Sequence, residues 1–195
     1  MAAVILALAL PALGAGDDLK PVDIKHMLPG NCHAGSRPDP KAPGGYGSSD
    51  NNPRRLTDKS IGTDGSISLL AFPDQAVPFG QSSRGFRLIL VNRSKGEAAF
   101  PATDSQLAII QEALDSTGKW RPIEYLPRSF CGNSYHQVFL PRNACWQFAA
   151  PSYSGPLKTK LRFVLQGKQP IYSNEFEGSI NPEQFTGMQG AERRG

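Results

Sequence analysis

A period-two pattern runs through residues 157–166. Leu157, Thr159, Leu161, Phe163 and Leu165 share one side, while Lys158, Lys160 and Arg162 share the other. A period of two predicts a half-buried β-strand, with one face on a core and one in water. Residues 85–92 follow a different pattern. Phe86, Leu88 and Leu90 line one face and Ile89 and Val91 the other, so this strand is expected in the middle of a sheet. Shorter patterns predict strands at 66–72, with Ile67, Leu69 and Ala71 on one face, at 136–140 and at 145–148. Leu140, Pro141, Arg142 and Asn143 form a turn between the last two. A closing strand is expected over 171–180, with Tyr172, Phe176 and Ile180 on one face. Val77, Pro78, Phe79 and Gly80 read as a turn or a sheet edge, since proline has no N–H to give to a ladder.

Residues 104–114 fit two patterns. Leu107, Ile110 and Leu114 make a helical stripe, with Asp104 or Ser105 as cap and Gly118 as stop. The same residues also make a strand that turns at 116–119 into a partner over 120–126. The hairpin is favoured, because Trp120, Ile123 and Tyr125 suit a strand that needs a neighbour. Together these segments predict an all-β fold, an immunoglobulin-like antiparallel β-sandwich of roughly seven or eight strands over residues 64–181.

The strands beginning at 151–163 (PSYSGPLKTKLRF) and 171–176 (IYSNEF) resemble the last two strands of secreted bacterial immunoglobulin-like or fibronectin-type modules, entered through a glycine-containing corner. The resemblance covers the sandwich region, lacks the cysteine–tryptophan–cysteine spacing of antibody domains, and assigns no functional residue.

Outside that region the pattern fades. The chain carries 20 Gly and 17 Pro. Residues 17–63 are Gly/Pro-rich without apolar periodicity, and are expected to be a largely unstructured linker. Residues 182–195 are expected to be a flexible tail. Residues 2–10 form an apolar run followed by Pro11 and the small residues Ala12, Gly14, Ala15 and Gly16. This pattern predicts a signal peptide over 1–16, too short for a transmembrane span, and export to the periplasm or beyond the cell.

A net charge of +4 without a dense basic stripe argues against nucleic acid as partner. Of the three cysteines, Cys131 and Cys145 both fall in the predicted domain and form the expected disulfide, leaving Cys32 free. Catalytic constellations are sparse. Cys131 and His136 are close enough in sequence to suggest a thiol nucleophile and its base, but positions five apart on a strand face opposite ways. His136 reads more simply as a strand residue at the sandwich edge. His26, Cys32 and His33 offer metal-ligand types without a rigid frame, and Asp39, Asp50, Asp58 and Asp64 match no calcium-loop consensus, so neither a metal nor a cofactor is expected. Glu112 and Glu124 read as a solvated face. Trp120, Tyr125, Tyr135, Trp146 and Tyr153 are candidates for a sugar-stacking platform or, more simply, for core and rim.

The reading that results is an exported, non-enzymatic binding or structural module. Its expected partner is an anionic polysaccharide or another envelope protein, met by the cations Lys158, Lys160 and Arg162. The alternative is an exported hydrolase or thiol-redox enzyme that uses His136 and Cys131.

Overall fold

A computed structural model of the chain describes residues 19–42, 49–58, 60–129 and 131–186. The expected leader, residues 1–16, lies outside the described residues. The chain enters through β1 (Val22–Asp23), β2 (Leu28–Pro29) and β3 (Arg54–Arg55). The long pair β4 (Ile67–Phe79) and β5 (Ser83–Asn92) follows, then β6 (Ala98–Thr103), β7 (Gln106–Leu107) and β8 (Ile109–Leu114). Next come β9 (Trp120–Pro122), β10 (Glu124–Tyr125), β11 (Tyr135–Leu140), β12 (Ala144–Pro151) and β13 (Tyr153–Ser154). The described residues end on β14 (Leu157–Leu165), β15 (Ile171–Tyr172), β16 (Phe176–Ile180) and a short 3-10 turn over Pro182–Phe185. Among the described residues there is no α-helix, and no helix long and apolar enough to cross a membrane.

The protein is all-β, built from several sheets that do not close into a barrel, an arrangement consistent with a β-sandwich. A four-stranded sheet runs β3-β12-β5-β4. Opposite it lie a three-stranded sheet, β11-β6-β7, and a larger one in which β15 and β16 flank β14, followed by β8 and β9. The main core fills the space between. Leu69, Phe86, Leu88, Leu90, Trp146 and Phe148 come from the first sheet, and Phe100, Leu107, Val138, Leu140, Phe163 and Leu165 from the others. Phe86 meets Phe163 and Phe176 edge-on, and Phe100 meets Trp146 in the same way, the geometry that the ring quadrupole favours.

Several expectations stand. The residues expected as a central strand lie in β5, between β4 and β12, with Leu88, Ile89, Leu90 and Val91 all buried. β8 and β9 form the favoured hairpin. Its turn is held by Asp115, whose Oδ1 accepts from Thr117 N, Thr117 Oγ1 and Lys119 N at 2.7–3.0 Å, with Gly118 at φ +77°. These bonds to the charged form hold the Asp115 carboxyl below the usual range.

Other expectations are corrected. Residues 19–42 and 49–58 are not an unstructured linker. β1 pairs with β13 and β2 with β10, both in parallel, so the sheets are not purely antiparallel. β3 pairs with β12. Cys32 and Ala34 enter the main core, and Trp146 Nε1 donates to Gly35 O at 2.9 Å. Asp39 receives Lys41 N at 2.9 Å and Gln137 N at 2.8 Å, bonds that lower its carboxyl below the usual range. This strap is held by backbone bonds and single insertions, and neither leaves a periodic trace in sequence. Part of the expected tail is also ordered. Asn181 and Gln184 form a reciprocal cap over the 3-10 turn, and both are buried. The expected closing strand is broken at residues 173–175. Leu161 pairs with Phe176 but Val164 with Tyr172, so the register slips by one residue and Tyr172 turns out to solvent.

The Cys131–Cys145 disulfide is absent: all three thiols are free. Cys145 follows the turn that ends β11, whereas Cys131 precedes its start. The intervening strand spans about 20 Å at about 3.3 Å per residue, and a disulfide needs Cα atoms within about 7 Å.

Candidate functional site: a groove on the outer face of the four-stranded sheet

A sheet buried on one face turns alternate residues outward. On the four-stranded sheet these are Leu70 and Phe72 of β4, Arg87, Ile89 and Val91 of β5, and Cys145 of β12. Ile89, Val91 and Cys145 form a small separate cluster beneath Leu56 and Ile61 of the preceding loop. Leu56 N donates to Asn143 O at 2.8 Å, and Thr63 N donates to Ser68 Oγ at 3.1 Å. Asp58 Oδ1 accepts from Ser60 N at 2.8 Å and Ser60 Oγ at 2.6 Å, and these bonds lower its carboxyl below the usual range. Gly62 sits at φ +81° with Val91 close beneath it, a conformation that side chains disfavour.

The loop stops short of the end of the face. Between it and β4 lies a groove of about 660 Å³, lined by Asp58, Ile61, Leu70, Phe72, Arg87 and Asn174 among others. That volume falls in the range of small-molecule sites. Its far wall is shaped by a bulge, where the pairing of β4 with β5 shifts between Phe72 and Ala76. The bulge brings Gln75 to Arg87, whose Nη1 donates to Gln75 Oε1 at 3.0 Å. Asn174 closes the edge, its amide accepting from Ala71 N at 2.8 Å and donating to Ala71 O at 3.0 Å.

Arg87 is the centre of this groove. Its guanidinium carbon lies 5.4 Å from the Phe72 ring centroid. Its Nε is buried and has no acceptor. Among the described residues no carboxylate lies within ion-pair distance of it. Sequence reading missed Arg87. The available signal was a lone cation in line with Ile89 and Val91, on a strand otherwise apolar on both faces.

The expected cationic row is placed differently. Lys158 and Lys160 point outward from β14, but Lys160 Nζ meets Glu175 Oε2 at 3.1 Å. Arg162 is not solvated. Its Nε and Nη2 each lie 2.8 Å from Glu112 Oε2, and it sits 4.2 Å from the Trp120 ring and 4.1 Å from the Tyr172 ring. Both partners of this ion pair are mostly covered, at 17% and 16% side-chain exposure. Glu112 is therefore a counter-ion, not part of a solvated face.

Glu124 is corrected more strongly. It is buried, accepting from Gln111 N and Tyr153 OH, both at 2.9 Å. Burial pushes its carboxyl up to about 7, against the two hydrogen bonds, which pull it down. The Gln111 side-chain amide is buried with neither atom partnered. Burial, and then the Glu124 charge, raise the Cys32 thiol, while burial raises that of Cys145, so both are held protonated and inert.

His136 and Cys131 are not brought together as base and nucleophile. Cys131 is exposed ahead of the 3-10 turn at Gly132–Ser134, whereas His136 is buried. The His136 ring nitrogens face Ser134 O at 3.1 Å and Ser105 Oγ at 3.4 Å. Asp104 and Ser105 form the two-residue turn between β6 and β7 at φ +49° and +65°. Ser105 is strained there, and the contact to His136 and the bond from Ala34 N to Ser105 O at 2.8 Å fasten the turn. An apolar hollow of about 210 Å³ lies nearby, on the opposite face of this sheet, beneath Pro101, Thr103 and the exposed Tyr135. The aromatics do not assemble into a platform, since Trp146 lies in the main core and Tyr153 in a second cluster with Ile123 and Leu161. Among the described residues no group of three or more His, Cys, Asp or Glu side chains is placed to hold a metal ion.

Comparison of the chain with family models, with curated proteins and with solved structures finds no match.

Proposed function

We propose that this chain is an exported, non-enzymatic binding module on an immunoglobulin-like sandwich, and that it takes its ligand in the groove beside Arg87. One observation carries the reading: an open groove of about 660 Å³ where polar groups from the covering loop, β4, β5 and Asn174 converge on an apolar floor. Convergent polar groups over apolar walls are the ordinary make-up of a small-ligand site. The alternative enzyme draws less support, because His136 is buried with its ring on Ser134 and Ser105 while Cys131 is exposed ahead of the 3-10 turn, so base and thiol are not brought together. The row on β14 also draws less support as a contact surface, because two of its three charges already have carboxylate partners.

Amide NMR of the intact protein, titrated with acidic and neutral oligosaccharides, tests this reading. Shifts are expected to gather at Leu70, Phe72, Gln75 and Arg87, and Thr63→Trp, which fills the mouth, is expected to remove them. Shifts that gather along β14 instead, or none across both sugar classes, would overturn the groove.

A further inference from the structure

We infer that the groove selects a ring bearing one carboxylate and several hydroxyls, a uronic acid unit, with Arg87 as its anion contact; this rests on the reading of the groove as the binding site. Charge inventory gives the first reason. Arg87 is a cation on the groove whose only hydrogen-bond partner among those described is a neutral glutamine, held by Nη1. A guanidinium so placed is matched by a carboxylate, which accepts from its planar fork.

Asp58 gives the second reason. It stands on the loop wall of the same groove, and its lowered pKa keeps it charged. A phosphate dianion or a run of anions entering beside Arg87 would be repelled by it. A single carboxylate pairs with Arg87 and leaves one net negative charge, that of Asp58, to which a ligand hydroxyl can donate. The remaining lining supplies the third reason. Ser60, Thr63, Gln75 and Asn174 are neutral polar groups, while Leu70 and Phe72 give a flat apolar wall. Hydroxyls around the rim of a ring and C–H bonds on its face match that division. A fatty acid would leave the polar rim unpaired, and a peptide would bring amides without the ring.

The test is isothermal titration of the full chain with galacturonate, its methyl ester and neutral galactose. The acid is expected to bind at least ten-fold more tightly than either neutral sugar. Arg87→Met and Arg87→Lys are both expected to weaken the acid by about 10- to 100-fold, the cost of losing a charge-assisted fork, and to leave the neutral sugars unchanged. Equal affinity for acid and ester, with NMR shifts still in the groove, would overturn the carboxylate while the groove stood. Absence of groove shifts with all three sugars would overturn the groove, and this inference with it. Undiminished acid binding by a folded Arg87→Met protein would also overturn it, and Arg87→Lys decides the matter if the methionine variant does not fold.

Discussion

Two arginines point outward from neighbouring sheets over aromatic rings, and they differ in what completes them. Arg162 has Glu112 at 2.8 Å and rings at 4.2 and 4.1 Å on either side. Arg87 has one ring at 5.4 Å and a glutamine. Alternation along a strand says which way a side chain points. It does not say whether its charge is already matched, and that depends on strands far away in sequence. Glu112 pairs across from Arg162 only because β8 lies beside β14. The difference separates a cation that holds structure from one that is available to a ligand.

Glu124 is the extreme of this comparison, a buried carboxyl without a counter-ion among the described residues. Its pKa of about 7 in the folded chain lies above the 4.5 of an ordinary glutamate. The folded state therefore binds more protons than the unfolded state between those values. The stability that protonated Glu124 contributes is complete below pH 4.5 and is lost as pH rises to 7. The loss is about 3 kcal/mol, at about 1.4 kcal/mol per pH unit. Urea midpoints measured across this window are expected to fall, and Glu124→Gln is expected to flatten that fall. A wild-type midpoint constant from pH 4.5 to 7, once the other carboxylates are accounted for, would place Glu124 in water.

Arg162→Met comes next. It strands Glu112 in a mostly covered position and unstacks two rings, so a loss of about 2 kcal/mol is expected in equilibrium unfolding. Arg87→Met removes an orphaned donor and no ion pair, so a change below about 1 kcal/mol in either direction is expected. Equal losses from the two variants would break the comparison. Lys160→Ala removes a half-exposed pair with Glu175 and is expected to cost at most about 0.5 kcal/mol, falling further in salt. A thiol reagent is expected to modify one cysteine, Cys131, in the native protein, and the other two only on unfolding. Rapid native labelling of Cys145 would mean that the loop over the outer sheet face opens.

The parts legible in sequence were those in which one element reports its own surroundings. Leu161, Phe163 and Leu165 alternate because β14 turns them to the core, and residues 88–91 of β5 are apolar on both faces because they lie mid-sheet with both faces covered. The Asp115–Gly118 turn declared itself through residues that make their own local bonds. The strap did not, because Cys32, Ala34 and Gly35 each meet the body once, at points set by the finished fold. Glu124 was misread for the same reason. In a short strand, a glutamate covered by Tyr153 looks like one facing water. Arg162 was read correctly as turned away from the main core, but Trp120 and Tyr172, which enclose it, arrive from β9 and from a strand whose register slips. The groove was legible only as the oddity of Arg87, because its other wall is a loop without periodicity.

The bond pair between Asn174 and Ala71 bears on how these molecules behave next to one another. β4 is the last strand of its sheet and thirteen residues long. An open edge of that length offers an unpaired ladder to any extended chain, including another copy, and is the usual starting point of edge-to-edge aggregation. Here the Asn174 amide occupies both backbone groups of Ala71, as one residue of a neighbouring strand would. Beyond it the bulge breaks the spacing, and Pro73 and Pro78 have no N–H to offer. An incoming strand would find its first register taken and the next ones interrupted, so crowded copies of this protein can lie side by side without zipping together along β4.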